Sequence, residues 1–150
     1  MYNTSLRILG KENDAEDIMQ ESFLAAFQKL SSFKGDSSFG SWLKSIVVNN
    51  SINALRKRKE IVEIEEDAGI LVTEPEETTD PEYTLDDVHK GIEMLPDGYR
   101  VIINLYLIEG YDHEEIGNIL KINSSTSRSQ FNRARNKLKE IIINKKWATN

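Results

Sequence analysis

From Glu60 to Asp87 the chain carries twelve carboxylates and no lysine or arginine. No other feature limits the fold as much. Side chains of one sign repel one another and hold water, Pro75 and Pro81 interrupt regular structure, and apolar residues are sparse after Val72, so this segment describes a tether rather than a core. The short run IVEI, 61–64, could pair or pack on a neighbour, and no strand is assigned to it. The 150 residues therefore divide into a domain over 1–59, an acidic linker over 60–87 and a domain over 88–150. Each domain has only a modest core to bury.

The net charge of −6 hides this arrangement. Residues 1–59 hold nine Lys/Arg against six Asp/Glu, and residues 89–150 hold ten against seven. Two mildly basic blocks thus flank the acidic one, which leaves nucleic-acid binding open where an evenly acidic chain would not. There is no cysteine, so disulfides and thiolate metal sites are unavailable and a reducing compartment fits. No apolar run approaches the roughly 20 residues of a bilayer span, and the N-terminus lacks a signal-peptide pattern. The expectation is a cytoplasmic protein with no membrane insertion.

In the first block a helix ends at Gly10, and Asn13 or Asp14 is expected to cap the next, which runs to about Leu30. At about 100° per residue, Met19, Phe23, Ala26, Phe27 and Leu30 share a stripe expected to face the core. Asp14, Asp17, Gln20, Glu21 and Gln28 share the opposite side, with Leu24 in its middle. Single exposed leucines are ordinary; the sharper alternative is an apolar anchor within a partner-binding face. Ser31 to Ser38 reads as a loop in which Phe33 is the odd member. A helix over 39–59 follows, with Phe39, Trp42, Leu43, Ile46, Val47 and Ala54 on one stripe and Val48, Ile52 and Leu55 on a second. Asn49, Asn50 and Asn53 form either a satisfied core or capping network or a set of amides offered to a docked molecule. Arg56, Lys57, Arg58 and Lys59 either complement the helix dipole or hold phosphate.

In the second block, order returns near Leu85, with Val88, Ile92 and Leu95 on a short helix stopped by Pro96. A helix over 97–109 should end at Gly110. Asp112 caps the next, with Glu115 placed for a capping box, and the last runs to about Ile143. Three helices with tight joints suggest helix-turn-helix, with Gly117 where two helices cross closely. On the last helix Ser127, Phe131, Ala134, Leu138 and Ile141 point inward; Ser127 is unusual where an aliphatic residue is normal. Arg128, Ser129, Asn132, Arg135, Asn136 and Lys139 point outward, with Arg133 and Lys137 at the margin. This matches a helix whose first turns face base edges while cations hold phosphate. His89 and His113, the only histidines, read as exposed or capping. No calcium loop, phosphate loop or nucleophile pattern suggests an enzyme.

The segments DAEDIMQESF, FKGDSSF, SWLKSIVVNN, LPDGYRVIINL, EEIGNIL and RSQFNRARNKL resemble, in family order, the bacterial sigma factors of the extracytoplasmic-function group. The resemblance implies an all-α protein of two small helical domains, a region 2-like bundle and a region 4-like helix-turn-helix, with no cofactor. It implies that Asp14, Asp17, Gln20, Glu21 and Leu24 dock on the clamp helices of the largest subunit of core RNA polymerase, and that the polymerase flap is a second contact. Phe33, Lys34, Gly35, Asp36 and Ser37, with Asn49 and Asn53, would capture flipped bases of the minus-ten element, while Arg56, Lys57 and Arg58 hold backbone phosphate. Ser125, Thr126, Arg128, Ser129, Asn132, Arg133 and Arg135 would read the minus-thirty-five element in duplex DNA. The acidic linker would thread toward the active-site cleft, and an anti-sigma factor is a further expected partner. Family members have more chain ahead of the position of Met1, so the sequence resembles a truncated copy or a late start. Asn53 replaces a frequent aspartate, Val48 an arginine, Lys121 a turn glycine and Ser127 a valine, changes that bear on promoter preference. The rival reading is a two-domain regulator that binds DNA without polymerase.

Overall fold

The computed structural model describes residues 1–58 and 83–148, and among them the only regular elements are helices. Two compact units divide the chain. Lys59, the 61–64 run and most of the acidic segment lie outside the described residues.

The first unit contains α1 (Tyr2–Leu9), α2 (Glu12–Gln28), a 3-10 turn at Leu30–Ser32 and α3 (Phe39–Lys57). Gly10 closes α1 in the left-handed region, φ 71°, its N–H bonded to the Leu6 carbonyl at 2.7 Å. The chain then turns so tightly that α2 starts at Glu12 with Lys11 in the cap position. That corrects the expected Asn13 or Asp14 cap. Asp14, already inside the helix, is committed to Arg58 instead.

The three helices pack mutually around Ile8, Leu9, Ala15, Ile18, Ala26, Leu43, Val47, Val48, Ile52 and Leu55. On α2 the buried residues are Ala15, Ile18, Ser22 and Ala26. The expected core stripe is therefore displaced by roughly 80° around the helix at its 100° per residue: Phe23 and Leu30 are exposed, and Phe27 is the most open of them. The cause is close packing, because small side chains let α1 and α3 approach the α2 backbone and leave no room there for rings. Polar atoms in this seam are satisfied. Asn50 Nδ2 donates to Ser22 Oγ at 3.0 Å, and Ser51 Oγ donates to the Val47 carbonyl at 2.7 Å while lying 3.1 Å from Ser5 Oγ. On α3 the Val48, Ile52 and Leu55 strip is core as expected, together with Leu43 and Val47, whereas Phe39 is exposed.

The second unit contains α4 (Leu85–Glu93), α5 (Asp97–Ile103), a π turn at Asn104–Ile108, α6 (His113–Leu120) and α7 (Ser124–Ala148). Thr84 opens α4 with a capping box: the Asp87 N–H donates to Thr84 Oγ1 at 3.2 Å and the Thr84 N–H to Asp87 Oδ2 at 3.0 Å. Helix α5 was expected to stay regular to Glu109. It widens instead, with the Glu109 N–H reaching the Asn104 carbonyl at 2.9 Å, before Gly110 takes φ 79°. One extra residue per turn rotates the side chains that follow, which leaves Tyr106, Leu107 and Ile108 partly exposed. The Asp112 cap holds as expected, accepting from the N–H groups of Glu114 and Glu115 at 2.9 and 2.8 Å, while the Asp112 N–H donates to Glu115 Oε2 at 2.8 Å.

The core of this unit is Ile92, Leu95, Val101, Ile102, Ile103, Leu105, Ile116, Leu120, Phe131, Ala134, Leu138 and Ile142. At the end of α7, Ile142 is buried and Ile141 only half so, because Leu138 and Ile142, one turn apart, straddle the Gly91 backbone of α4. Lys121 ends α6 at φ 59°, ψ 44°. A β-carbon there is disfavoured, so Lys121→Gly is expected to stabilise the unit by about 0.5–1 kcal/mol after allowing for the looser unfolded chain. A rise in the thermal midpoint checks this.

Candidate functional site

Asp17, Gln20, Glu21 and Leu24 all lie on the outer face of α2, and Leu24 is 60% exposed. Asp14, about one turn earlier on the same side, is only partly exposed. It forms an ion pair with Arg58, whose Nη1 also donates to the Leu9 carbonyl at 3.3 Å. That guanidinium ties the end of α3 to the corner between α1 and α2, so Arg58 has a structural task whatever else it touches. The outer face gains two residues that periodicity had assigned to the core, Phe23 and Phe27, and Phe27 is 74% exposed. Leu24 is thus flanked by carboxylates and amides on one side and by rings on the other. The available signal was the run of small residues Ala15, Ser22 and Ala26, which marks a close helix contact more reliably than the rings do.

Along the outer side of α3 the residue types change in order. Phe39 and Trp42 come first, then Asn49 and Asn53, then Arg56 and Lys57 at the end. Phe33 packs into the first group, its ring centroid 5.8 Å from Phe39 at 86° and 5.3 Å from Trp42. Phe39 and Trp42 are 5.6 Å apart, so the loop and the helix share one aromatic surface although Phe33 lies outside the helical periodicity. Lys34, Gly35, Asp36 and Ser37 are exposed beside it, with Gly35 at φ 76°. The Asn49 side chain donates to the Ser45 carbonyl at 2.8 Å, Asn53 is exposed, and Asn50 serves the core. Rings are followed by amides and cations on one helix side, groups whose chemistry is to stack, to hydrogen-bond and to pair with anions.

In the second unit Asn123 caps α7, accepting from the Thr126 N–H and from Ser125 Oγ, each at 2.7 Å. Ser129 Oγ donates to the Ser125 carbonyl at 3.1 Å. Ser125, Arg128, Ser129 and Arg135 are exposed, and Thr126, Asn132 and Arg133 are half-buried. The turn ahead of α7 lies so close to α6 that a β-carbon on Gly117 would stand 2.7 Å from the Ile122 carbonyl oxygen. Behind the presented face Ser127 is fully buried, and His113 Nδ1 lies 2.9 Å from its Oγ. His113 is therefore neither exposed nor a cap. Its ring is stacked on Tyr106 at 4.6 Å and 15° and meets Phe131 at 5.7 Å and 63°. Burial pushes its pKa below the ordinary 6.5, the Arg128 charge lowers it further, and Asp112 opposes both.

The Sigma-70 region 2 family model matches residues 1–61, and the Sigma-70 region 4 model matches residues 85–138. The ECF RNA polymerase sigma factor SigW of Bacillus subtilis is 31% identical over an alignment of 156 positions, gaps included, that covers 95% of this chain and 82% of that protein. The chain belongs to the extracytoplasmic-function sigma factors. The ECF RNA polymerase sigma-E factor of Salmonella typhimurium is 37% identical over 144 residues, covering 88% of this chain and 73% of that one. Among solved structures, the sigma factor RpoE in complex with the anti-sigma factor NepR from Bartonella quintana superposes with a TM-score of 0.63 at 26% identity, over 94% of this chain and 88% of that one. As an ECF sigma factor the chain is a transcription initiation factor of bacterial RNA polymerase, and the all-α architecture of two helical domains is the one this family uses. Among the described residues no helix is long and apolar enough to cross a membrane, and no group of three or more His, Asp or Glu could hold a metal.

Proposed function

We propose that this sigma factor attaches to core polymerase through the outer face of α2, captures the opened minus-ten strand along α3 and its preceding loop, and reads the minus-thirty-five duplex with the first turns of α7. The observation that carries the reading is the exposed Leu24 set between Phe27 and the Asp17, Gln20 and Glu21 group. An apolar anchor ringed by polar groups is the usual anatomy of an interface centre. On α3, Phe33, Phe39 and Trp42 supply the stacking surface, Asn49 and Asn53 the amides, and Lys34, Arg56 and Lys57 the phosphate contacts. Arg128 and Asn132 face bases, with Ser125, Thr126, Ser129, Arg133 and Arg135 around them. The first domain limit, 1–59, follows from the same assignment, whereas the second domain starts at the Thr84 cap of α4 and not at 88, so the linker ends before Thr84. The chain acts in the cell interior, where the polymerase is, without catalysis of its own, and the solved neighbour in complex with the anti-sigma factor NepR supports such a partner here.

The two basic blocks are modest and the segment between them is strongly acidic, so affinity for duplex DNA without polymerase is weak in this reading. Size-exclusion of the full chain with core polymerase tests it. Co-elution with core, together with weak duplex binding by the free chain, is expected. Tight sequence-specific duplex binding with no core association would instead establish the polymerase-independent regulator.

A further inference from the structure

The reading helix rests on a polar contact where an apolar one would be simpler. Ser127 is fully buried one residue before Arg128, and a buried hydroxyl is costly unless it is hydrogen-bonded. His113 stands within hydrogen-bond distance of it, at 2.9 Å. The imidazole is itself fixed, stacked on Tyr106 of the π turn and set against Phe131 of α7, while the Tyr106 and Phe131 centroids are 4.5 Å apart. Three elements therefore meet at one ring: α6 supplies it, the π turn holds its face, and α7 is pinned through the residue beside its leading cation. Asn123 fixes the start of α7 only at its outermost turn. Ala134, Leu138 and Ile142 hold the later turns of the helix in the core, and Ser127 and Phe131 are the buried contacts that fix the rotation of its first turns.

We infer that His113 is a positioning residue for promoter reading, its bond to Ser127 setting the rotation of α7 and hence the aim of Arg128 and Asn132 at base edges. This rests on the proposal that α7 reads the upstream element. A few degrees of rotation move a guanidinium tip by a large part of an ångström, and bidentate base contacts tolerate little displacement. The charges acting on the ring are Arg128 of α7 and the Asp112 carboxylate of its own helix cap, with Tyr106 the titratable side chain stacked on it. A protonated ring would stand against the Arg128 guanidinium, so the neutral form is the competent one. Because the folded value lies below the ordinary 6.5, the neutral ring's contribution is complete above that pH and is lost as the pH falls through the folded value.

The test uses holoenzyme assembled from core polymerase and the full chain, given promoter DNA randomised in the upstream element, from about pH 5.5 to about pH 8. The readout is discrimination, the ratio of binding to favoured and singly substituted elements. A loss of folded protein lowers both terms and leaves the ratio unchanged. His113→Phe keeps the ring stack and removes the hydrogen bond; it should lower discrimination about five- to tenfold, a part of what a base contact supplies. His113→Asn keeps a hydrogen-bonding group without titrating; it should retain discrimination at pH 7.5 and flatten the acid loss seen in the wild type. Wild-type discrimination in both variants at every pH would overturn the positioning role while leaving the α7 assignment intact. Failure of wild-type holoenzyme to select any upstream element would overturn the assignment and the inference together.

Discussion

Leu24→Asp is expected to lower the affinity of the chain for core polymerase at least about a hundredfold, the loss of roughly 3 kcal/mol typical of an apolar anchor at an interface centre. The physical reasons are all on α2. Leu24 is 60% exposed, so the new carboxylate is solvated in the free protein and the three-helix core is untouched. On a partner the same carboxylate must be desolvated beside Asp17 and Glu21, which compounds the lost apolar contact. Phe27→Ser should act in the same direction, since Phe27 extends the anchor along the helix. Ala26→Asp differs from both, because Ala26 is buried and a carboxylate there disrupts the first unit itself. Titration of labelled chain with core polymerase, with circular dichroism on the free variants, separates the cases. Core affinity near wild type for Leu24→Asp would remove α2 from the docking surface.

The second large effect belongs to the helix-turn-helix. Gly117→Ala places a β-carbon 2.7 Å from the Ile122 carbonyl oxygen, a backbone atom, with the Asn123 and Ser124 backbone at 3.5 and 3.6 Å. A flexible side chain could swing aside; this turn cannot without moving α7. The Ile122 N–H is also bonded to the Gly117 carbonyl at 2.9 Å, so relief in one direction breaks a second contact. A loss of about 3 kcal/mol in the second unit is expected, at the upper range of overpacking, seen as faster hydrogen exchange across α6 and α7 and as lost upstream discrimination. Gly98→Ala supplies the opposite sign. A β-carbon at Gly98 meets nothing within 4 Å, and alanine in a helix is favoured by up to about 1 kcal/mol. Equal exchange rates in the two variants would mean that the close crossing at Gly117 is relaxed at no cost.

The second unit was the more legible in the sequence, for reasons that can be given residue by residue. Asp112 and Glu115 are three apart, and a capping box needs nothing beyond that spacing. Gly117 marked a close crossing because little else explains a glycine within an amphipathic helix. The π turn was hidden, since widening one turn leaves the pattern of Val101, Ile102 and Leu105 unchanged and shows only in which side chains emerge afterwards. The first unit misled at α2. Periodicity gives the direction of greatest hydrophobicity, and in this helix that direction points to solvent, while Ala15, Ser22 and Ala26 line the true core. Leu24 stands out in the sequence as an apolar residue on a polar face, but its ring neighbours do not, because the spacing of Phe23 and Phe27 points them to the interior. The Arg58 link to Asp14 was hidden for another reason. The two residues are 44 positions apart, and each had a plausible local role.

His113 and Ser127 carry the same lesson for a pair. Taken singly, one read as an exposed histidine and the other as a poor fit for an inward position. Placed together, each accounts for the other.

Run-off transcription with purified core polymerase, with and without the chain, on a library of promoter DNA tests the central claim most directly. Chain-dependent transcripts should start at defined positions, each preceded by two common sequence blocks at fixed separation, and Leu24→Asp should abolish them. Transcripts that do not depend on the chain, or none at all while the chain alone binds duplex DNA tightly, would contradict the assignment of promoter-specific initiation to this protein.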